Sequence, residues 1–80
     1  MTIWRRRTMT YRSREEWYAS KGGWSLEVVQ LLTGKWRAEA SNPNGVDGRR
    51  ESHVIGERLT LVMAQLAAER WRPRRVTSST

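Results

Sequence analysis

Five tryptophans and two tyrosines, with no phenylalanine and no cysteine, supply all the aromatic mass of this 80-residue chain. A chain near this length buries only about 60 to 65 % of the surface that it exposes when unfolded, so its stability is marginal and every large ring counts. One tryptophan can remove on the order of 150 to 250 Å² from water. Trp4, Trp17, Trp24, Trp36 and Trp71 are spread along the whole sequence, which predicts one small domain held together largely by indoles. Without cysteine there is no disulfide framework and no thiolate metal site, and the default compartment is intracellular. The cytoplasm is the expected location, that of a host cell if the chain is viral.

Local patterns predict an α+β fold: a short antiparallel sheet of two or three strands packed on one long C-terminal helix. Residues 1–12 read as a basic arm or a weak edge strand, rich in Thr, Ile, Trp and Tyr. Ser13 and Glu16 are spaced as a capping box, and Gly22-Gly23 is a stop signal, so a short helix is expected over about residues 14–21. Residues 24–32 read two ways. Leu26, Val28 and Leu32 alternate as in a strand, whereas Ser25 before an apolar run ending at Gly34 suits a short helix. The Val28-Val29 pair favours the strand, and the helical option leaves an all-α, three-helix alternative open.

Thr33-Gly34-Lys35 reads as a hairpin turn with glycine in the left-handed position, followed by a strand through Trp36, Ala38 and Ala40. Ser41 to Gly48 packs Asn-Pro, Asn-Gly and Asp-Gly dipeptides into one loop. A third strand over Arg49 to Ile55 is expected to break at Gly56. Glu57 to Trp71 has the strongest helical signal: Leu59, Val62, Met63 and Leu66 recur at helical spacing, Arg70 falls in the last turn and Pro73 stops the run. That apolar face is expected to bury. The single domain then covers residues 13–72 and a basic tail covers residues 73–80.

Charge is distributed unevenly. Arg5, Arg6, Arg7, Arg12 and Arg14 cluster at one end and Arg70, Arg72, Arg74 and Arg75 at the other, whereas residues 15–69 hold more acids than bases. The net +7 therefore lives in the arms. Thirteen of the fifteen bases are arginine, and guanidinium pairs with phosphate bidentately and stacks on rings as an ammonium cannot. Arginine also lies beside aromatics in Trp4-Arg5, Tyr11-Arg12, Trp36-Arg37 and Trp71-Arg72. Such neighbours suit a surface that grips phosphate and stacks bases, and they also suit cation-π packing within the fold.

Catalytic chemistry finds little support. His53 is the only imidazole, the acids are scattered, and neither glycine turn has the ending of a phosphate loop. No enzyme activity, metal or cofactor is expected. The longest apolar stretch, Leu59 to Ala68, is far short of the roughly 20 residues of a spanning helix, and no apolar run for a secretory signal follows the first arginines. No membrane partner is expected.

Over residues 22–71, the Gly23-Trp24 start of a strand, the Thr33-Gly34-Lys35 turn, a third strand and a closing helix resemble the small three-stranded DNA-binding domains at the front of some tyrosine integrases. That resemblance implies DNA bound on a basic sheet. The acid-rich middle of this chain departs from it.

The leading expectation is a small accessory protein that binds nucleic acid, DNA before RNA, with Arg5, Arg6, Arg7, Arg12, Arg14, Arg72, Arg74 and Arg75 as phosphate contacts. Trp4, Trp36, Arg37 and Trp71 are the candidate interface residues. The alternative is a phage- or plasmid-encoded inhibitor that docks on a larger host protein or nucleoprotein complex, such as a CRISPR effector or an RNA polymerase, with tryptophans as anchors. A homodimer is compatible with either.

Overall fold

A computed structural model describes residues 2–7, 15–42 and 51–73. The elements in chain order are β1 (Arg5–Arg7), β2 (Glu16–Lys21), β3 (Trp24–Gln30), β4 (Trp36–Asn42), β5 (Glu51–Arg58) and α1 (Leu61–Arg70). The strands form one antiparallel sheet in sequential order, β1-β2-β3-β4-β5, and α1 packs across one face of it. The α+β expectation holds, but the sheet has five strands rather than two or three.

The segment expected as a helix over residues 14–21 is instead mostly β2. Trp17, Ala19 and Lys21 pair with Val28, Leu26 and Trp24 on one face, and Glu16, Tyr18 and Ser20 occupy the other. Period-two alternation with a partner strand outweighs the local capping signal. Gly22 and Gly23, both at positive φ (55° and 82°), form the two-residue hairpin turn that pairs Lys21 with Trp24. Two successive positive φ values are what a type I′ turn requires, and glycine reaches them without strain. The same pairing makes residues 24–30 a strand and removes the all-helical alternative.

The turn at Thr33-Gly34-Lys35 is present, with Gly34 at φ 91° and Leu31 and Lys35 closing the hairpin through a 2.8 Å N–H to carbonyl bond. β5 extends to Arg58, past the expected end of the third strand. Gly56 does not terminate it: the residue pairs with Ala38 next to a bulge in the β4/β5 ladder. Glu57 and Arg58 are consequently strand residues, and the helix begins four positions later than its periodicity suggested. Thr60 caps it, its hydroxyl accepting from the Met63 N–H at 3.2 Å.

Leu26, Val28, Ala38, Ala40, Ala64 and Ala68 form the buried core, and Trp4, Trp17, Trp24, Trp36, Ile55, Leu61 and Trp71 pack around it. Alanines on the facing surfaces of β4 and α1 bring helix and sheet close, and the indoles close the periphery. The helix thus buries the face opposite to the expected one. Val62, Met63 and Leu66 point away from the sheet, and Leu59 just before α1 is exposed as well. The loop expected at residues 41–48 lies largely outside the described residues, although Ser41 and Asn42 end β4. Most of the tail expected at 73–80 lies outside them too.

Candidate nucleic-acid interface

The antiparallel meander carries the N-terminal strand to the C-terminal end of α1. Trp4 Nε1 donates to Glu69 Oε2 at 2.7 Å, a contact that spans 65 positions of sequence. Lys21 Nζ, at the end of β2, donates to the Glu69 carbonyl. Arg72 Nη1 reaches the same carbonyl at 3.2 Å and the Trp71 carbonyl at 3.2 Å. Carbonyls at the end of a helix lack intrahelical partners and carry partial negative charge, which is why cations collect there. Trp4, just before β1, and Arg72, just after α1, therefore meet at one corner of the fold.

A small cavity of about 160 Å³ opens at this corner, lined by Lys21, Gly22, Trp24, Leu26, Trp71, Arg72 and Pro73. Its walls are largely apolar, with Trp24 and Trp71 as their aromatic part. Trp24 and Trp71 stand edge to face with centroids 5.0 Å apart, and the His53 ring lies 5.7 Å from Trp24 and 5.6 Å from Trp71. His53 Nε2 donates to Glu51 Oε2 at 2.7 Å, fixing the outer side of this stack. Flat apolar walls under a rim of one ammonium and one guanidinium can hold a planar ring and a neighbouring phosphate together.

The other arginines are used differently. Arg5 is exposed, with no ion pair among the described residues. Arg6 pairs with Glu15 at 3.4 Å. Arg7 lies 3.5 Å from Glu16 and 3.6 Å from Glu27, and its guanidinium covers the Tyr18 ring at 4.7 Å. Arg12, Arg14, Arg74 and Arg75 lie outside the described residues.

Strand register places Arg5, Arg7 and Arg37 on the open face of the sheet with Glu16, Glu27, Glu39 and Glu57. Acids outnumber bases there, so this face lacks the basic character implied by the integrase resemblance, although strand, turn, strand, strand and helix follow in the order it implies. Arg37 Nε is 3.1 Å from Glu39 Oε2, an ion pair whose geometry does not meet hydrogen-bond alignment and leaves that buried nitrogen otherwise unsatisfied.

The four residues expected at an interface are not one cluster. Trp4 and Trp71 belong to the corner, whereas Trp36 pairs with Gln30 at the far end of β3, about 20 Å from Trp24 at 3.3 Å per strand residue. All three tryptophans are half-buried against the core. Lys21, Trp24 and Glu69 were missed from the sequence. The Gly-Gly hairpin signal between Lys21 and Trp24 was available, and it pairs those two residues directly.

Among the described residues no three His, Asp or Glu side chains converge as a metal set, and no helix is long and apolar enough to cross a membrane. No family model matches the chain, and no curated protein or solved structure matches it either.

Proposed function

We propose that this chain is a small, non-catalytic nucleic-acid-binding accessory protein, with Lys21 and Arg72 contacting phosphate and the cavity slot beside the Trp24/Trp71 pair accepting an unstacked base. The observation that carries this reading is the cavity that Trp24 and Trp71 line together with Lys21 and Arg72, at the corner where Trp4 reaches the end of α1. Arg5, exposed and outside any ion pair among the described residues, is the next candidate phosphate contact. A ring enters such a slot only when it is out of a duplex stack, so single-stranded DNA is the first ligand to test.

Fluorescence anisotropy with labelled oligothymidylate, titrated with salt, tests the reading. Affinity should fall linearly in a log-log plot, and Lys21→Gln and Arg72→Gln should each reduce the slope by about 0.7, the value for one phosphate contact on a single strand. Salt-independent binding, or no binding to any single strand or duplex, would refute it. Docking on a larger host nucleoprotein complex is a second reading, favoured by the uncovered apolar face of α1.

A further inference from the structure

Helix α1 is apolar on both sides. Ala64 and Ala68 face the sheet, while Val62, Met63 and Leu66 are 63 %, 47 % and 42 % exposed on the side away from it, next to Leu59 at 71 %. A helix that is apolar all round is ordinarily one that is covered all round. Beside this stripe a groove of about 400 Å³ runs between α1 and β5, lined by Ile55, Arg58, Met63, Leu66, Ala67, Arg70 and Trp71. Among the described residues its charged lining is the two arginines, and the rest of the lining is apolar. The Arg58 guanidinium lies over Gly56, where a Cβ would come within 2.8 Å of Nη1, so this glycine leaves space for the arginine on the groove side.

We infer that the outer face of α1 and the adjoining groove dock an acidic, amphipathic helical segment of a partner protein. Leucine-like side chains of the partner cover the Val62/Met63/Leu66 stripe, and its carboxylates meet Arg58 and Arg70. Helix-in-groove recognition places an apolar stripe between flanking charges in this way.

The other occupants fit less well. A second copy would bring Arg58 and Arg70 against themselves, with no acid among the described lining residues to receive them, on a chain of net charge +7. The segments of this chain outside the described residues, 8–14, 43–50 and 74–80, each contain more bases than acids. Val62, Met63 and Leu66, which make up the exposed stripe, give a nucleic acid neither stacking planes nor donors and leave it Trp71 and the two arginines of the groove alone, and a concave groove suits a rod-shaped partner better than a flat bilayer.

A labelled synthetic helix with leucines along one stripe and glutamates on both flanks is the probe, and its lysine-flanked counterpart is the control. Wild-type protein should bind the glutamate peptide saturably. Leu66→Glu, and separately the Arg58→Gln/Arg70→Gln pair, should weaken binding at least about tenfold, as loss of an interface anchor does. Circular dichroism confirms that each variant is folded, and oligothymidylate affinity should be unchanged in Leu66→Glu. The inference fails if the lysine peptide binds equally well or Leu66→Glu has no effect. It also fails if oligothymidylate binding is lost in step with the peptide. Binding to equimolar phosphatidylcholine/phosphatidylserine vesicles that Leu66→Glu abolishes would assign the face to lipid instead. A concentration-dependent dimer dispersed by Leu66→Glu would assign it to a second copy.

Discussion

Ala68 and Leu66 are two positions apart and have opposite roles. Ala68 is fully buried between α1 and the sheet, whereas Leu66 is exposed on the side away from it. Enlarging a side chain in a closely packed contact forces neighbours off their rotamers and costs about 1 to 3 kcal/mol. An exposed substitution usually changes stability by about 0.5 kcal/mol or less. In urea denaturation, Ala68→Leu should therefore be clearly destabilised and Leu66→Ser should stay close to wild type. The reverse order would mean that the helix presents its larger residues to the sheet. Hydrophobicity alone gives the wrong ranking, because the closest contacts here are made by alanine.

At the scale of the elements, local signals competed with pairing. The turn at Thr33-Gly34-Lys35 and the strand that follows it were legible, since glycine's left-handed conformation is a local property. β2 was not legible as a strand: Ser13 and Glu16 gave a valid cap signal, and its refutation lies in the partner strand β3. The helix was found but its buried face was not. Leu59, Val62, Met63 and Leu66 do form a stripe, yet a single sequence does not show that the sheet offers alanines for a close approach on the other side. The candidate corner was half legible for the same reason. Arg72, Trp71 and Trp4 were named from composition, while Lys21 and Trp24 depend on the hairpin.

The helix boundary allows a direct check. Thr60 holds the first turn through the Met63 N–H, and replacing an N-cap threonine by alanine typically costs about 1 kcal/mol. Thr60→Ala should lower stability by that order and speed amide exchange at Met63, and unchanged exchange would show that the cap is not needed.

For the whole molecule, a meander leaves two sheet edges, and β1 is one of them. Its three residues are all exposed arginines. Charged side chains on an edge oppose pairing with another chain. Replacing Arg5, Arg6 and Arg7 together by threonine should raise light scattering at high protein concentration, with the monomer's circular dichroism retained. If the triple variant stays as dispersed as wild type, these charges do not protect the edge, and binding nucleic acid becomes the better account of them.

The position of α1 after all five strands gives synthesis on the ribosome a direction. Once Arg58 has emerged, every hydrogen-bonded rung of the sheet can form, yet Leu26, Val28, Ala38 and Ala40 still face water. Only α1, made after all five strands, covers them. Stalled nascent chains that expose residues up to Leu59 should be cut readily by protease, and chains that expose Pro73 should resist. A folding unit sealed by a helix made after its sheet stays open until that helix emerges, a period in which nascent-chain chaperones have an apolar surface to hold.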